Sequence, residues 1–322
     1  FELANLDPVS YRWLGAVAGS ALIWVSYNLS LQLLNQKGFA ILVALFFCLD
    51  GSFLVDSRFG LINIYMSLFG FLSLQFLIIF LKKENNQILY LFLSSILFGV
   101  TFSIKWNGLG FWGVGICSVL ILILLSRIQP IDNIKNKLLR PKNSLSTRAR
   151  VVLVLLSFPF ITYAIIWIPE LIFSEQYSLI DRHLNISSYH LGNLERKAHP
   201  YSSSWYTWPI MLKPIGYYFS SREVLSAGGV QTTVFNSVHL LPNPALYLFS
   251  LMAILIMSLK WMSSFFEVLA TKTYESEFAI SSLILLGFYA NFLPWAFVSR
   301  SAFLYHYQPA SGFAFLALGF LL

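Results

Sequence analysis

Long apolar runs, separated by short polar interruptions, recur from one end of the chain to the other. A helix needs about 20 apolar residues to cross the hydrocarbon core of a bilayer. Nine stretches approach that length: 11–34, 38–55, 60–81, 88–104, 107–126, 150–173, 243–263, 277–295 and 302–322. Of these, 38–55 and 60–81 read either as whole spans or as broken, re-entrant ones. Hydrophobic residues make up 57% of the chain and charged residues only 11%, whereas a soluble domain carries about 25% charged residues. Too little polar surface remains to coat a globule. The expectation is an all-α polytopic integral membrane protein, one transmembrane unit over residues 1–322, interrupted by one long polar excursion at 174–242.

The loops orient this unit. Residues 127–150 carry Arg127, Lys135, Lys137, Arg140, Lys142, Arg148 and Arg150 against Asp132 alone. A short loop so basic faces the cytoplasm, although the same charge run also suits anionic lipid or a partner. Alternation brings Lys82, Lys83 and Lys272 to that side and sends 174–242 to the other, outside a bacterial cell or inside an organelle lumen. The net charge of +7 is therefore a matter of membrane orientation, not of nucleic-acid binding. Cys48 and Cys117 lie within apolar runs, which argues against a disulfide framework. The chain opens on Phe1 and stops at Leu322 inside an apolar stretch, so it reads as a piece of a longer protein.

Three cations fall on the side the positive-inside rule disfavours: Arg58, Lys105 and Arg300, each near a helix end. An ionisable group at membrane depth is costly and by default marks a functional site. Together they suit a lipid phosphate or pyrophosphate, which arginine chelates through two oxygens. Taken singly, each reads equally well as a snorkelling side chain or as the partner of Asp50 or Asp56. His306, within Tyr305-His306-Tyr307, is either a phosphate donor and proton shuttle or simply a hydrogen-bonded interfacial histidine.

The polar excursion centres on His199 to Pro209, His-Pro-Tyr-Ser-Ser-Ser-Trp-Tyr-Thr-Trp-Pro. Tyr201, Ser202, Trp205 and Trp208 supply rings and hydroxyls suited to sugar, although composition alone favours an interfacial aromatic belt. His183, His190, His199, Asp181 and Glu195 share the excursion, but their spacing matches no standard metal set, so no metal is expected. Phosphate-loop, dinucleotide and helical zinc motifs are absent from the sequence.

Four segments, in order, resemble one family. Ser57-Arg58 with Leu61-Ile62-Asn63, Lys105-Trp106-Asn107-Gly108-Leu109, Tyr201-Ser202-Ser203 with Trp208-Pro209, and Phe303-Leu304-Tyr305-His306-Tyr307 with Pro309 are similar to segments of protein O-mannosyltransferases, in their shorter bacterial form. The resemblance implies a GT-C type glycosyltransferase that moves a mannosyl or related unit from a polyprenyl-phosphate sugar to a Ser or Thr hydroxyl of a translocated protein. It implies a multi-pass protein of the inner (plasma) membrane, with its site on the extracytoplasmic face. The family's acidic catalytic pair lies in the loop after its first span, so the base is expected upstream of Phe1. Two positions depart from the family pattern: Asn63 stands where many relatives have Asp, and Asp56 where many are neutral, placed to hold Arg58.

A phosphate leaving group has its own low pKa, so charge stabilisation outweighs acid catalysis at its oxygen. The expectation casts Arg58 as the main phosphate ligand, with Lys105, Arg300 and His306 as lesser ones. His199, Tyr201, Ser202, Trp205 and Trp208 would cover the sugar, and no cofactor beyond the lipid-linked donor is expected. Rival readings are a GT-C enzyme for another sugar or acceptor, and a transporter or flippase of lipid-linked substrate, which would show inverted repeats.

Overall fold

The computed structural model describes residues 8–82, 88–130, 145–173, 178–191, 199–225 and 231–322. Helices occupy every one of the nine apolar stretches. They are α1 (Pro8–Leu34), α2 (Lys37–Leu49) with α3 (Gly51–Phe59), α4 (Ile62–Lys82), α5 (Ile88–Ile104), α6 (Leu109–Leu125), α7 (Leu145–Phe173), then, after α8 (Leu179–Leu191), α9 (Pro244–Thr271), α10 (Ser276–Phe292) and α11 (Gln308–Leu321). Six are long and apolar enough to cross a membrane, and α2 with α3 makes a seventh if the bent pair is one span; α5 is shorter.

Packing runs along neighbouring helices. α4 lies against both α1 and α5, and α11 sits among α9, α10 and α2. The core between them is aromatic: Phe71 meets Phe111 at 5.1 Å, Phe313 at 5.0 Å and Phe47 at 5.5 Å between ring centroids. Edge-on and tilted pairs of this kind add to burial through the ring quadrupole. Leu153, Ile165, Leu248 and Leu259 are exposed apolar side chains on α7 and α9, as lipid-facing surfaces require.

The two ends of the bundle differ as alternation demands. At one end β1 (Gln129–Pro130) pairs in parallel with β4 (Thr273–Tyr274), which joins the basic loop to the α9–α10 connection. Lys82 donates to the Gln32 carbonyl at that end. The basic residues Lys83, Lys135, Lys137, Arg140 and Lys142 lie outside the described residues.

The opposite end carries the polar excursion, and there the all-helical expectation gains a sheet. β2 (Ile215–Leu225) and β3 (Gln231–Leu240) form an antiparallel hairpin, Ile215 facing Leu240 and Leu225 facing Gln231. Its root is buried, with Ile215 and Leu240 in the core. A register shift between Gly216 and Tyr218 leaves Tyr217 as an extra residue. Such a bulge re-aims a side chain, and Tyr217 is turned back onto the helices.

The break between α2 and α3 receives this hairpin. Asp50 ends α2 because its carboxylate accepts from the Ser52 and Phe53 N–H groups, 3.2 Å each, and so caps α3. The two helices bend by 58°. The same carboxylate takes the Asn243 N–H at 3.2 Å, where the chain leaves β3 for α9. Gly51 allows the approach: a Cβ there would lie 2.1 Å from the Leu241 carbonyl oxygen. α3 then stops at Gly60, whose φ of 68° suits glycine.

Candidate functional site

The break, the hairpin and the ends of α5 and α10 converge at the excursion end of the bundle. Lys105 occupies a single extended residue between α5 and the short helical turn Trp106–Gly108. Its Nζ donates to Asn63 Oδ1 at 2.9 Å and lies 4.8 Å from the centre of the Tyr305 ring. Asn63 Nδ2 donates to Asp56 Oδ2 at 3.1 Å. The other oxygen, Oδ1, accepts from the Tyr217 hydroxyl at 2.5 Å. One row thus runs from the hairpin through a buried carboxylate and a buried amide to an ammonium.

Burial holds the Lys105 amine down to about 8, with the Arg300 charge acting in the same direction and Asp56 opposing both. The Tyr217 hydroxyl is pushed up, first by burial and then by the Asp56 charge, so it remains a donor.

Beside Lys105 opens a cleft of about 530 Å³ between α6 and the end of α10. Lys105 and Arg300 are its charged lining residues; Leu109, Pro294, Phe297 and Val298 make apolar wall. Arg300 donates to the Ser301 carbonyl at 3.0 Å and sits 5.9 Å from the Trp295 ring centre. Asn107 and Asn291 also line the cleft, and each has a buried side-chain oxygen that no donor among the described residues satisfies. Sequence reasoning missed both amides and Tyr217. Nothing in one sequence marks an amide as unsatisfied, and the bulge that turns Tyr217 inward is a property of strand pairing.

The cleft has two cations where three were expected. Arg58, in the last turn of α3, is exposed and outside the lining. Asp56 is instead buried, and its two oxygens accept from Tyr217 and Asn63. His306 is 1% exposed, with Trp295 at 4.1 Å, Tyr305 at 4.4 Å and Trp208 at 5.9 Å. Its Nδ1 accepts the Phe303 N–H at 3.0 Å. His306 thus shapes the segment after Arg300 and is closed off from solvent.

The aromatic segment divides similarly. Trp208 is fully buried, donates to Ser203 Oγ at 3.0 Å and meets Trp295 at 5.5 Å. It is a packing element and cannot present its face to a sugar. The Ser203 N–H donates to the Ala302 carbonyl at 2.9 Å, tying the segment to the chain beside Arg300. Trp205 packs edge-on against Phe292 at 5.0 Å, and the half-buried Tyr201 lies against Gly216 at the hairpin root. Ser202 is half-buried, and its N–H donates to the carbonyl of His199. His199 itself is exposed, 5.0 Å from the Phe303 ring.

Among the described residues no group of three or more His, Cys, Asp or Glu side chains is close enough to hold a metal ion. His183 is engaged by the Tyr163 hydroxyl at 2.6 Å and the Leu179 carbonyl at 2.7 Å. Glu195 and the His190 side chain lie outside the described residues. Tyr163 also accepts from Trp106 Nε1 at 3.0 Å, linking α7 and α8 to the cleft wall. Among the described residues that line the cleft there is no carboxylate.

Over 132 residues the chain is 31% identical to dolichyl-phosphate-mannose–protein mannosyltransferase 5 of Saccharomyces cerevisiae, a match covering 41% of this chain and 17% of that protein. The matched stretch is thus well under a fifth of the relative's length. Among solved structures, the Archaeoglobus fulgidus oligosaccharyltransferase tethered to an acceptor peptide matches at 15% identity and a TM-score of 0.46, covering 97% of this chain and 38% of that one. The same archaeal enzyme with an inhibitory peptide and a dolichol-phosphate matches at 14% identity and a TM-score of 0.44, over 97% and 39%. Residues 177–322 match the family model of the C-terminal four TMM region of protein-O-mannosyltransferase, and residues 2–181 match that of dolichyl-phosphate-mannose-protein mannosyltransferase. With more than half its length matched by the latter, the chain belongs to the dolichyl-phosphate-mannose-protein mannosyltransferase family.

Proposed function

We propose that the protein transfers a mannosyl unit from a polyprenyl-phosphate-linked donor to a Ser or Thr hydroxyl of a translocated protein, at the extracytoplasmic face of the cell's plasma membrane. The observation that carries this reading is the cleft of about 530 Å³ with Lys105 and Arg300 in an otherwise largely apolar lining. A lipid phosphate needs that combination: cations for the headgroup and an apolar path for the chain.

In an inverting transfer, the acceptor oxygen attacks the anomeric carbon while the bond to the lipid phosphate breaks and its electron pair passes to the phosphate. Lys105 and Arg300 stabilise that developing charge in a water-poor site, where fixed charges act most strongly. Arg58, exposed to solvent, adds a screened longer-range field. His306 and Trp208 hold the wall, while His199, Tyr201, Ser202 and Trp205 border the approach of sugar or acceptor. The base that takes the acceptor proton is a carboxylate outside the cleft lining.

The test is transfer by the full-length protein, in membranes, from polyprenyl-phosphate mannose to a Ser/Thr-rich peptide. Labelled peptide is expected, and it is lost when the peptide's hydroxyl residues are replaced by alanine. No labelled peptide from a correctly inserted protein overturns the reading.

A further inference from the structure

Lys105 is half-buried, and among the described residues the acceptor its ammonium meets is an amide oxygen, not a carboxylate. That amide is oriented. Asn63 turns its oxygen to the Lys105 ammonium at 2.9 Å and its nitrogen to the Asp56 carboxylate at 3.1 Å, so its dipole lies along the line from positive to negative charge. Asp56 is fully buried and Asn63 is 4% exposed. In such a setting a fixed dipole between two charges couples them strongly. The far oxygen of Asp56 is held at 2.5 Å by Tyr217, the residue the hairpin bulge turns inward. Four side chains from α3, α4, the α5 terminus and β2 are thereby in one register.

We infer that Asp56, acting through Asn63 and anchored by Tyr217, is a positioning residue for the Lys105 ammonium. It does not touch substrate. This rests on reading Lys105 as a ligand of the donor phosphate. The arrangement gives Lys105, which lines the cleft, a compensating negative charge at a distance, with an amide and not the carboxylate taking an ammonium N–H. A carboxylate in direct contact would compete with the donor phosphate for the same protons. It also makes the hairpin part of the donor site, since the third hydrogen bond in the row comes from β2.

Two readouts on the full-length protein test this. The first is donor KM and kcat for polyprenyl-phosphate mannose across pH. Asp56→Asn is expected to raise donor KM roughly tenfold with little change in kcat, the scale of one lost hydrogen bond to a charged group, and to move the alkaline limb of kcat/KM to lower pH. Asp56→Asn combined with Asn63→Asp puts the carboxylate at the Lys105 contact and is expected to bring the limb back. Tyr217→Phe shifts it part of the way. The second readout is the pH dependence of Lys105 acylation by an amine reagent, followed by mass spectrometry, which needs no turnover. An Asp56→Asn protein whose Lys105 titrates as in the parent overturns the inference, as does an exchange variant no different from the single one. A parent protein that transfers nothing, while Lys105 still responds to Asp56, leaves the positioning role standing and removes the functional reading instead.

Discussion

Lys105 gathers most of the physical chemistry at the residue scale. An amine held near 8 keeps its charge below that pH and loses it as pH rises through it, so the sign of the effect is fixed: donor capture weakens on the alkaline side. The kcat/KM for the lipid-linked donor, which reports groups of the free enzyme, is expected to fall with an apparent midpoint about pH 8. Lys105→Met removes the charge at any pH and is expected to cost on the order of 100- to 1,000-fold in kcat/KM, as for one lost oxyanion donor. Arg58→Ala, at an exposed position, costs less because water and salt already screen that charge. Parity of the two variants in a steady-state assay would contradict this ordering. Trp208→Ala belongs to a different class: its ring is fully buried, so its removal is expected to cost about 3–5 kcal/mol of stability, seen as a lowered unfolding midpoint. A stable Trp208→Ala protein with a raised KM alone would restore the sugar-stacking role.

The break between α2 and α3 is the element on which the site depends. A straight helix over 37–59 would carry Asp56 past the hairpin; the bend of 58° brings it beneath Tyr217. Asp50 and Gly51 cause that bend together, one by capping α3 and the other by admitting the Leu241 carbonyl. Gly51→Ala is therefore expected to cost about 1–3 kcal/mol through overpacking and to loosen the hairpin root. Thermal unfolding gives the first, and faster amide exchange in β2 and β3 gives the second. Unchanged exchange would separate the hairpin from the break. In the sequence, 38–55 reads as a possible broken span, without the position of the break. The Leu241 contact that requires the break is not legible, because nearly 200 residues separate its two sides.

For the whole molecule, alternation makes a prediction about sidedness. Ser204 in the excursion and Lys272 beside β4 are both exposed at opposite ends of the bundle. In a background without Cys48 and Cys117, an impermeant thiol reagent applied to intact cells is expected to label Ser204→Cys and to spare Lys272→Cys. The reverse pattern would invert the orientation. The sequence by itself determined the class and the layout. Apolar runs of spanning length, a basic loop on one side and isolated cations on the other follow from the cost of placing charge in hydrocarbon, and that cost acts residue by residue. The tertiary structure alone decided which cations share a cleft. Arg58, Lys105 and Arg300 all carry the same local signature, so their sequence cannot rank them. The helix bend, the hairpin bulge and the depth of each side chain do so. Burial, which turns Lys105 into a titrating amine and Trp208 into core, arises from contacts between segments far apart in the chain.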